Sequence, residues 1–221
     1  MLIKISFLKQ MRLTVKENKY DSSIYQQTAQ TVIGFHGCDK SVAEEILNSP
    51  RKHLTASTNS YDWLGDGIYF WLNDPQRAYE WACQTHEQNP NKVKEPYVLG
   101  AVINLGLCLN FCERNSILLL QKSYNILEES FKKLGLSING ELKNKVPDKG
   151  GFNLVRPLDC AVIKNLHEMM KKENVTFDTV YGYFQEGSDA FVGAGIKEKS
   201  HVQVCVRNPN CIKGYFLPRE K

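Results

Sequence analysis

The chain has 221 residues, 42% of them hydrophobic and 24% charged, with a formal net charge of +4. This is the composition of a folded globular chain. It excludes a disordered tail or a collagen-like repeat, and no apolar run reaches the roughly 20 residues a membrane-spanning helix needs. The positive charge is mild and the lysines are spread along the chain, so an anionic partner is permitted but not demanded.

Residues 1–30 alternate weakly and then turn polar, which reads as a short strand or arm followed by a linker. Lysines inside the apolar stretch and the lack of a small-residue cleavage site make this a poor signal peptide. Thr31 to Gly37 is a β-branched strand ending in His36-Gly37. Asp39 or Ser41 then caps a short helix carried by Val42, Ala43, Ile46 and Leu47, with Pro50 as its stop. Leu54 to Asn59 reads as an extended, hydroxyl-rich loop. The next stretch is Trp63-Leu64-Gly65-Asp66-Gly67-Ile68-Tyr69-Phe70-Trp71. Its two glycines allow a tight turn and close approach to the backbone, and its Ile-Tyr-Phe-Trp run has strong strand propensity. Asn73-Asp74-Pro75 supplies an N-cap and a proline for the first helical position. The helix that follows carries Ala78, Trp81 and Ala82 on one face and is broken by Asn89-Pro90-Asn91.

Tyr97 to Leu105 is an apolar strand. Residues 115–134 show the longest helical pattern, with Ile117, Leu118, Leu120, Tyr124, Leu127, Phe131 and Leu134 as its stripe and Gly135 closing it. Residues 136–153 read as a polar, glycine-rich loop. Pro157 to Glu173 is a second long helix whose Lys171-Lys172 end suits the helix dipole. Val175 to Phe184 is a strand, followed by a loop with Glu186, Gly187, Gly193 and Gly195. A final strand pair, His201 to Val206 and Cys211 to Leu217, is joined by Arg207-Asn208-Pro209-Asn210, a turn by composition. Strands dominate both ends and helices the middle, which predicts an α+β domain whose sequence-distant strands pair into one core.

The seven cysteines are odd in number and form no CxxC pair, and several sit inside apolar runs such as Val204-Cys205-Val206. That pattern predicts free thiols in a reducing, cytoplasmic setting. Cys108-x3-Cys112 could begin a metal site, but no paired Cys/His set completes it, so no metal is expected.

Three segments carry a family resemblance: Phe35-His36-Gly37, then Gly65-x-Gly67-Ile68-Tyr69-Phe70, and much later Val202-Gln203-Val204-Cys205-Val206 with Cys211-Ile212-Lys213-Gly214-Tyr215-Phe216. Together they resemble the catalytic core of ADP-ribosyltransferases of the His-Tyr-Glu class, the branch shared by diphtheria-type toxins and the poly(ADP-ribose) polymerases. The run Tyr61 to Trp71, the helix Arg77-Ala78-Tyr79-Glu80-Trp81-Ala82 and the segment Phe184-x-Glu186-Gly187 look more specifically like stand-alone bacterial members of that superfamily. The resemblance covers residues 31–110 and 177–217. It implies a split β-sheet core with flanking helices over 31–221, a helical insertion at 111–175, and residues 1–30 as an N-terminal arm.

The resemblance also implies roles. NAD+ would be the co-substrate, and the bond broken would be that between nicotinamide and ribose. Because the leaving group carries its own positive charge, binding geometry and electrostatics would supply most of the catalysis. His36 would hydrogen-bond a ribose hydroxyl of the adenosine half. Gly37 would present main-chain groups to the nicotinamide carboxamide. Tyr69 would stack on the nicotinamide ring with Trp81 opposite, Gly67 would shape the approach, and Ser57 would contact phosphate or ribose. The family's glutamate position falls on Gln203, which can exchange hydrogen bonds but cannot carry charge or take a proton. That argues against chain elongation and leaves transfer of a single unit, with Glu186 as the preferred compensating carboxylate and Glu198 and His201 as further candidates. The expected protein is a mono-ADP-ribosyltransferase, a bacterial or phage toxin or defence effector. Its acceptor would be protein, RNA or DNA, and a cognate antitoxin is a natural partner. The alternatives are a catalytically inactive NAD- or nucleic-acid-binding module, an NAD glycohydrolase, and a plain structural α+β domain.

Overall fold

The structure, a computed structural model, describes residues 30–49, 51–147, 151 and 153–219. The expected N-terminal arm and the helix stop at Pro50 lie outside the described residues. The strands are β1 (Thr31–Asp39), β2 (Ile68–Leu72), β3 (Pro96–Asn104), β4 (Cys108–Asn110), β5 (Lys145–Pro147), β6 (Asn153–Val155), β7 (Thr179–Phe184), β8 (His201–Val206) and β9 (Ile212–Phe216). The helices are α1 (Lys40–Leu47), α2 (Pro75–Gln88), α3 (Arg114–Lys133), α4 (Ile138–Glu141) and α5 (Pro157–Lys172). The fold is mixed α+β, with a seven-stranded sheet ordered β4-β7-β8-β2-β1-β3-β9 and a separate two-stranded β5-β6 ribbon. Only β4–β7 is parallel in the large sheet; its other neighbours are antiparallel.

The helix starts follow local chemistry. Asp39 caps α1 by accepting from the Ser41 N–H, and Asp74 caps α2 by accepting from the Arg77 N–H with Pro75 at the first position. Asn73 takes a left-handed φ of 54° between β2 and α2, a conformation asparagine tolerates.

The two C-terminal strands are not a hairpin, contrary to the sequence expectation. Strands β8 and β9 stand apart in the sheet, separated by β2, β1 and β3. From Val206 to Ile212 the chain can reach about 21 Å at most, whereas four flat strand spacings would need about 19 Å. A 3-10 turn at Pro209–Cys211 shortens that reach, so the sheet must bend to bring its two halves together. The core agrees: Ile68, Phe70, Leu99, Ala101, Ile103, Val204, Val206, Cys211 and Ile212 belong to one buried cluster with Ala43 and Ile46 of α1.

Two further expectations change in the middle of the chain. The predicted loop at 136–153 contains α4 and the β5–β6 ribbon, because Ser137 caps α4 and Asn144 accepts from the Leu158 N–H at the start of α5. The α3 stripe holds only in part: Leu118, Leu120, Tyr124, Leu127 and Phe131 are half-buried, but its two ends are exposed. Ile117 is 36% and Leu134 74% exposed, while Ser116 and Ser123 are buried. Ser123 donates through Oγ to Val162 O (2.8 Å), so α3 meets α5 through a small hydroxyl that allows close approach. Apolar periodicity alone could not show that.

Candidate functional site

Strands β1, β2 and β8 are neighbours, so His36, Tyr69 and Gln203 are brought onto three adjacent strands from positions far apart in sequence. The pairing between them is uneven. β1 pairs with β3 along its whole length, Thr31–Asn104 to Asp39–Pro96. β2 pairs with β8 from Ile68–Val206 to Trp71–Gln203. Between β1 and β2 the register holds only at Gly34–Leu72 and Phe35–Trp71. Beyond Phe35 the two strands part. His36 spans the parting: its Nδ1 lies 2.8 Å from the main-chain oxygen of Tyr69. A carbonyl only accepts, so Nδ1 carries the proton and Nε2 has a bare lone pair. Burial lowers the His36 pKa, against the opposing pull of the Tyr69 carbonyl.

Strand alternation sorts the side chains onto two faces. Ile68, Phe70, Val204 and Val206 enter the main core. On the other face Phe35, Trp71, Ala78 and Val98 form a second cluster beneath α2, with Trp81 packed against it. The His36 ring lies beside Phe70 (5.8 Å between centroids), on the main-core face rather than with the second cluster.

The glycines are used for close packing. A Cβ at Gly37 would fall on the Ala78 carbonyl oxygen and lie 3.2 Å from Trp81 Cε3, so α2 sits directly on this strand end. At Gly67 a Cβ would come within 2.5 Å of Cys205 Sγ and 2.7 Å of Val206 O. Ser57 is fixed here too, exchanging both main-chain hydrogen bonds with Gly67 (2.8 and 3.0 Å) and accepting from Asn59 Nδ2 through Oγ. Gly65 turns with φ 78°, and its carbonyl accepts from the Tyr69 hydroxyl at 2.6 Å while the hydroxyl accepts from Leu64 N–H at 2.9 Å. Burial pushes the Tyr69 phenol far up, so it stays protonated. Trp81 stands against Trp71 (6.0 Å between centroids), with Lys92 Nζ 5.6 Å over its ring.

Gln203 and Glu186 sit in one polar group on the α2 face. Gln203 is buried, pairs with Trp71 across the ladder, and has its Nε2 3.1 Å from His201 Nε2. His201 Nδ1 lies 2.6 Å from Lys199 O. The imidazole is enclosed by Trp63 (6.1 Å, stacked at 24°), Phe184 (6.0 Å) and Trp71 (6.4 Å). Burial is the main cause lowering the His201 pKa; Arg77 also lowers it, while the Lys199 carbonyl, Glu186 and Asp74 raise it. Glu186 is not a free loop acid. Arg77 Nη2 donates to both its oxygens at 2.7 and 2.8 Å, and the two side chains are only 8% and 12% exposed. Glu198 lies in the same loop and accepts from the Ser188 N–H at 3.2 Å. Arg77 Nε and Trp71 Nε1 are buried donors with no partner among the described residues.

Sequence reasoning missed Arg77 as the partner of Glu186, and the rings around His201. The Arg-Ala-x-x-Trp-Ala helix did contain the signal for Arg77: an arginine in the first turn, four residues before Trp81 on the face that packs the sheet. The rings come from three separate elements and left no common pattern.

No family model matches the chain, and no solved structure matches it. It is similar to a protein of Methanocaldococcus jannaschii described as uncharacterized, with 26% identity over 206 residues covering 81% of this chain and 83% of that one. No helix among the described residues is long and apolar enough to cross a membrane.

Proposed function

We propose that the protein is an NAD-dependent mono-ADP-ribosyltransferase, releasing nicotinamide and joining one ADP-ribose to a protein or nucleic-acid acceptor. The observation that carries the reading is the parting of β1 and β2 at His36, with β8 and Gln203 on the next strand. Three sequence-distant segments that resemble the family motif meet on adjacent strands, which supports the reading. His36 suits its expected role, because its bare Nε2 can accept from a ribose hydroxyl. Tyr69, fixed by two hydrogen bonds through its hydroxyl, offers a rigid ring on the neighbouring strand. A rigid aromatic face beside a cationic ring supplies both packing and electrostatic attraction.

Gln203 favours single transfer over elongation, and the same residue is what a second reading would use: an NAD-binding module without turnover. NAD+ labelled on the adenylate separates the two. Incubated with the protein and either lysate or purified RNA, it labels macromolecules if a transferase is present. Label recovered only as free ADP-ribose indicates hydrolysis. Calorimetry that finds no NAD+ binding refutes the reading altogether. A bacterial or phage toxin or defence effector with a cognate antitoxin is the biological setting the resemblance supports.

A further inference from the structure

We propose that His201 is the general base of the transfer step and that Gln203 holds it in both of its protonation states. The proposal rests on the transferase reading and adds the group that takes the acceptor's proton.

The tautomer comes first. Lys199 O can only accept, so the short contact from Nδ1 fixes the proton on that nitrogen. Nε2 is then a lone pair, and the neighbour 3.1 Å away is the Gln203 amide, which donates an N–H to it. A carboxylate at residue 203 could not do this. Beside a neutral imidazole it would set acceptor against acceptor, and the pair would settle as a carboxylate with an imidazolium, leaving no base. Glutamine has both functions on one planar group. Its N–H donates to the neutral ring, and after a half-turn of the amide its Oε1 accepts from the protonated one. A glutamine in the family's glutamate position and a histidine two residues earlier on the same strand face thus form a working pair.

The charged groups around the ring are Arg77 and Asp74 from the start of α2 and Glu186 from the loop after β7. Arg77 and Glu186 are bound to each other, so their effects on the imidazole oppose. Burial then decides and favours the neutral ring. Arg156 lies beyond the rings, 4.7 Å over Trp63 and 5.3 Å over Phe184. A cavity of about 390 Å³ is bounded by Trp63, Phe184, Tyr183, Ile117, Ile163 and Arg156, and two of those rings also pack on His201.

In the step itself, the acceptor's oxygen or nitrogen forms a bond to the anomeric carbon of the nicotinamide-side ribose. The carbon–nitrogen bond to nicotinamide breaks and its electron pair leaves with neutral nicotinamide. The acceptor's proton passes to His201 Nε2, is held there against Gln203 Oε1, and is released to water.

The test uses the full chain, with Gln203→Glu, His201→Asn and His201→Gln. Ring NMR follows the His201 titration, and the labelled-NAD+ assay gives kcat and KM against pH. The expected result is that Gln203→Glu raises the His201 midpoint by about one unit or more, shifts the acidic limb of kcat with it, and lowers activity at pH 7. His201→Asn or His201→Gln, folded by its NMR spectrum, loses about 10²- to 10⁴-fold in kcat with KM for NAD+ unchanged and the limb gone. An unmoved midpoint in Gln203→Glu overturns the pairing, whether or not the enzyme turns over. A gain of activity in Gln203→Glu, or an acidic limb that survives in the His201 variants, overturns the base. Wild-type protein that yields no NAD+-derived product fails the transferase reading itself, and with it the base assignment.

Discussion

Removing either member of the Arg77–Glu186 pair should be among the most damaging single substitutions in the molecule. The two side chains are 8% and 12% exposed, and one guanidinium nitrogen serves both carboxylate oxygens at 2.7 and 2.8 Å. At an effective dielectric of about 20, unit charges about 4 Å apart attract by about 4 kcal/mol, and removing one partner of a buried pair typically costs about 3–5 kcal/mol. The arrangement is not a full fork, since Nε is left without a partner and Nη1 is 3.8 Å from Glu80. Arg77→Met and Glu186→Leu should each therefore lose about 3 kcal/mol, at the lower end of that range. The double variant should recover part of the loss, because it leaves no buried charge unpaired. Urea denaturation of the four proteins gives the coupling energy directly. The solvent-screened Lys132–Glu128 pair (67% and 30% exposed) is the internal control, expected to show no comparable coupling. If the double variant loses the sum of the two singles within about 0.5 kcal/mol, Glu186 is not held by Arg77 in solution.

Gly37→Ala should lose about 1–3 kcal/mol by forcing α2 away from β1, whereas Gly214→Ala, where a Cβ meets nothing within 4 Å, should be close to neutral; equal urea midpoints for the two would contradict the packing. Tyr69→Phe removes a hydroxyl that both donates and accepts, leaving Leu64 N–H unmatched and Gly65 O with only the Cys205 thiol at 3.8 Å, and should cost about 1–3 kcal/mol in the same measurement. His167 on α5 is buried, neither ring nitrogen has a partner among the described residues, and burial lowers its pKa to about 3, with Arg207 adding to the effect. Between pH 6.5 and about 3 the unfolded chain takes up a proton there that the folded chain refuses, so stability falls as pH drops through that window. Replacing His167 with Leu should remove that share of the slope, improving stability relative to wild type by about 2–3 kcal/mol more at pH 4.5 than at pH 7.5; parallel stability–pH curves would show that His167 is solvated.

What the sequence made legible was what repeats at short range. The caps of α1 and α2, the break after α2, the β-branched β1 and the extent of α5 all follow from residues within a turn or two of one another. What it hid depends on contacts between distant segments. The separation of β8 from β9 is decided by which edges are already occupied, since β2 takes β8 and β3 takes β9. The contact of α3 with α5 is decided by where Ser123 meets Val162, which no hydrophobic count registers. The link between Asn144 and the start of α5 is likewise a contact between distant segments.

The same division runs through the candidate site. The family resemblance singled out His36, Tyr69 and Gln203, and the sheet sets them on adjacent strands. The resemblance could not say what each polar atom is bonded to, and the chemistry lies there. His36 keeps a bare Nε2 because Nδ1 is taken by Tyr69 O. Glu186 looks in sequence like the replacement for a missing carboxylate, but Arg77 already satisfies both its oxygens. His201 looks like a strand residue among valines, yet its Nδ1 is committed to Lys199 O, which leaves the other nitrogen to accept from the Gln203 amide. A charge that is already paired is a poor proton acceptor, and a neutral imidazole with one nitrogen fixed is a good one. Under the transferase reading, a glutamine at residue 203 need not leave the site without a base, because the neutral Nε2 of His201 lies 3.1 Å from its amide.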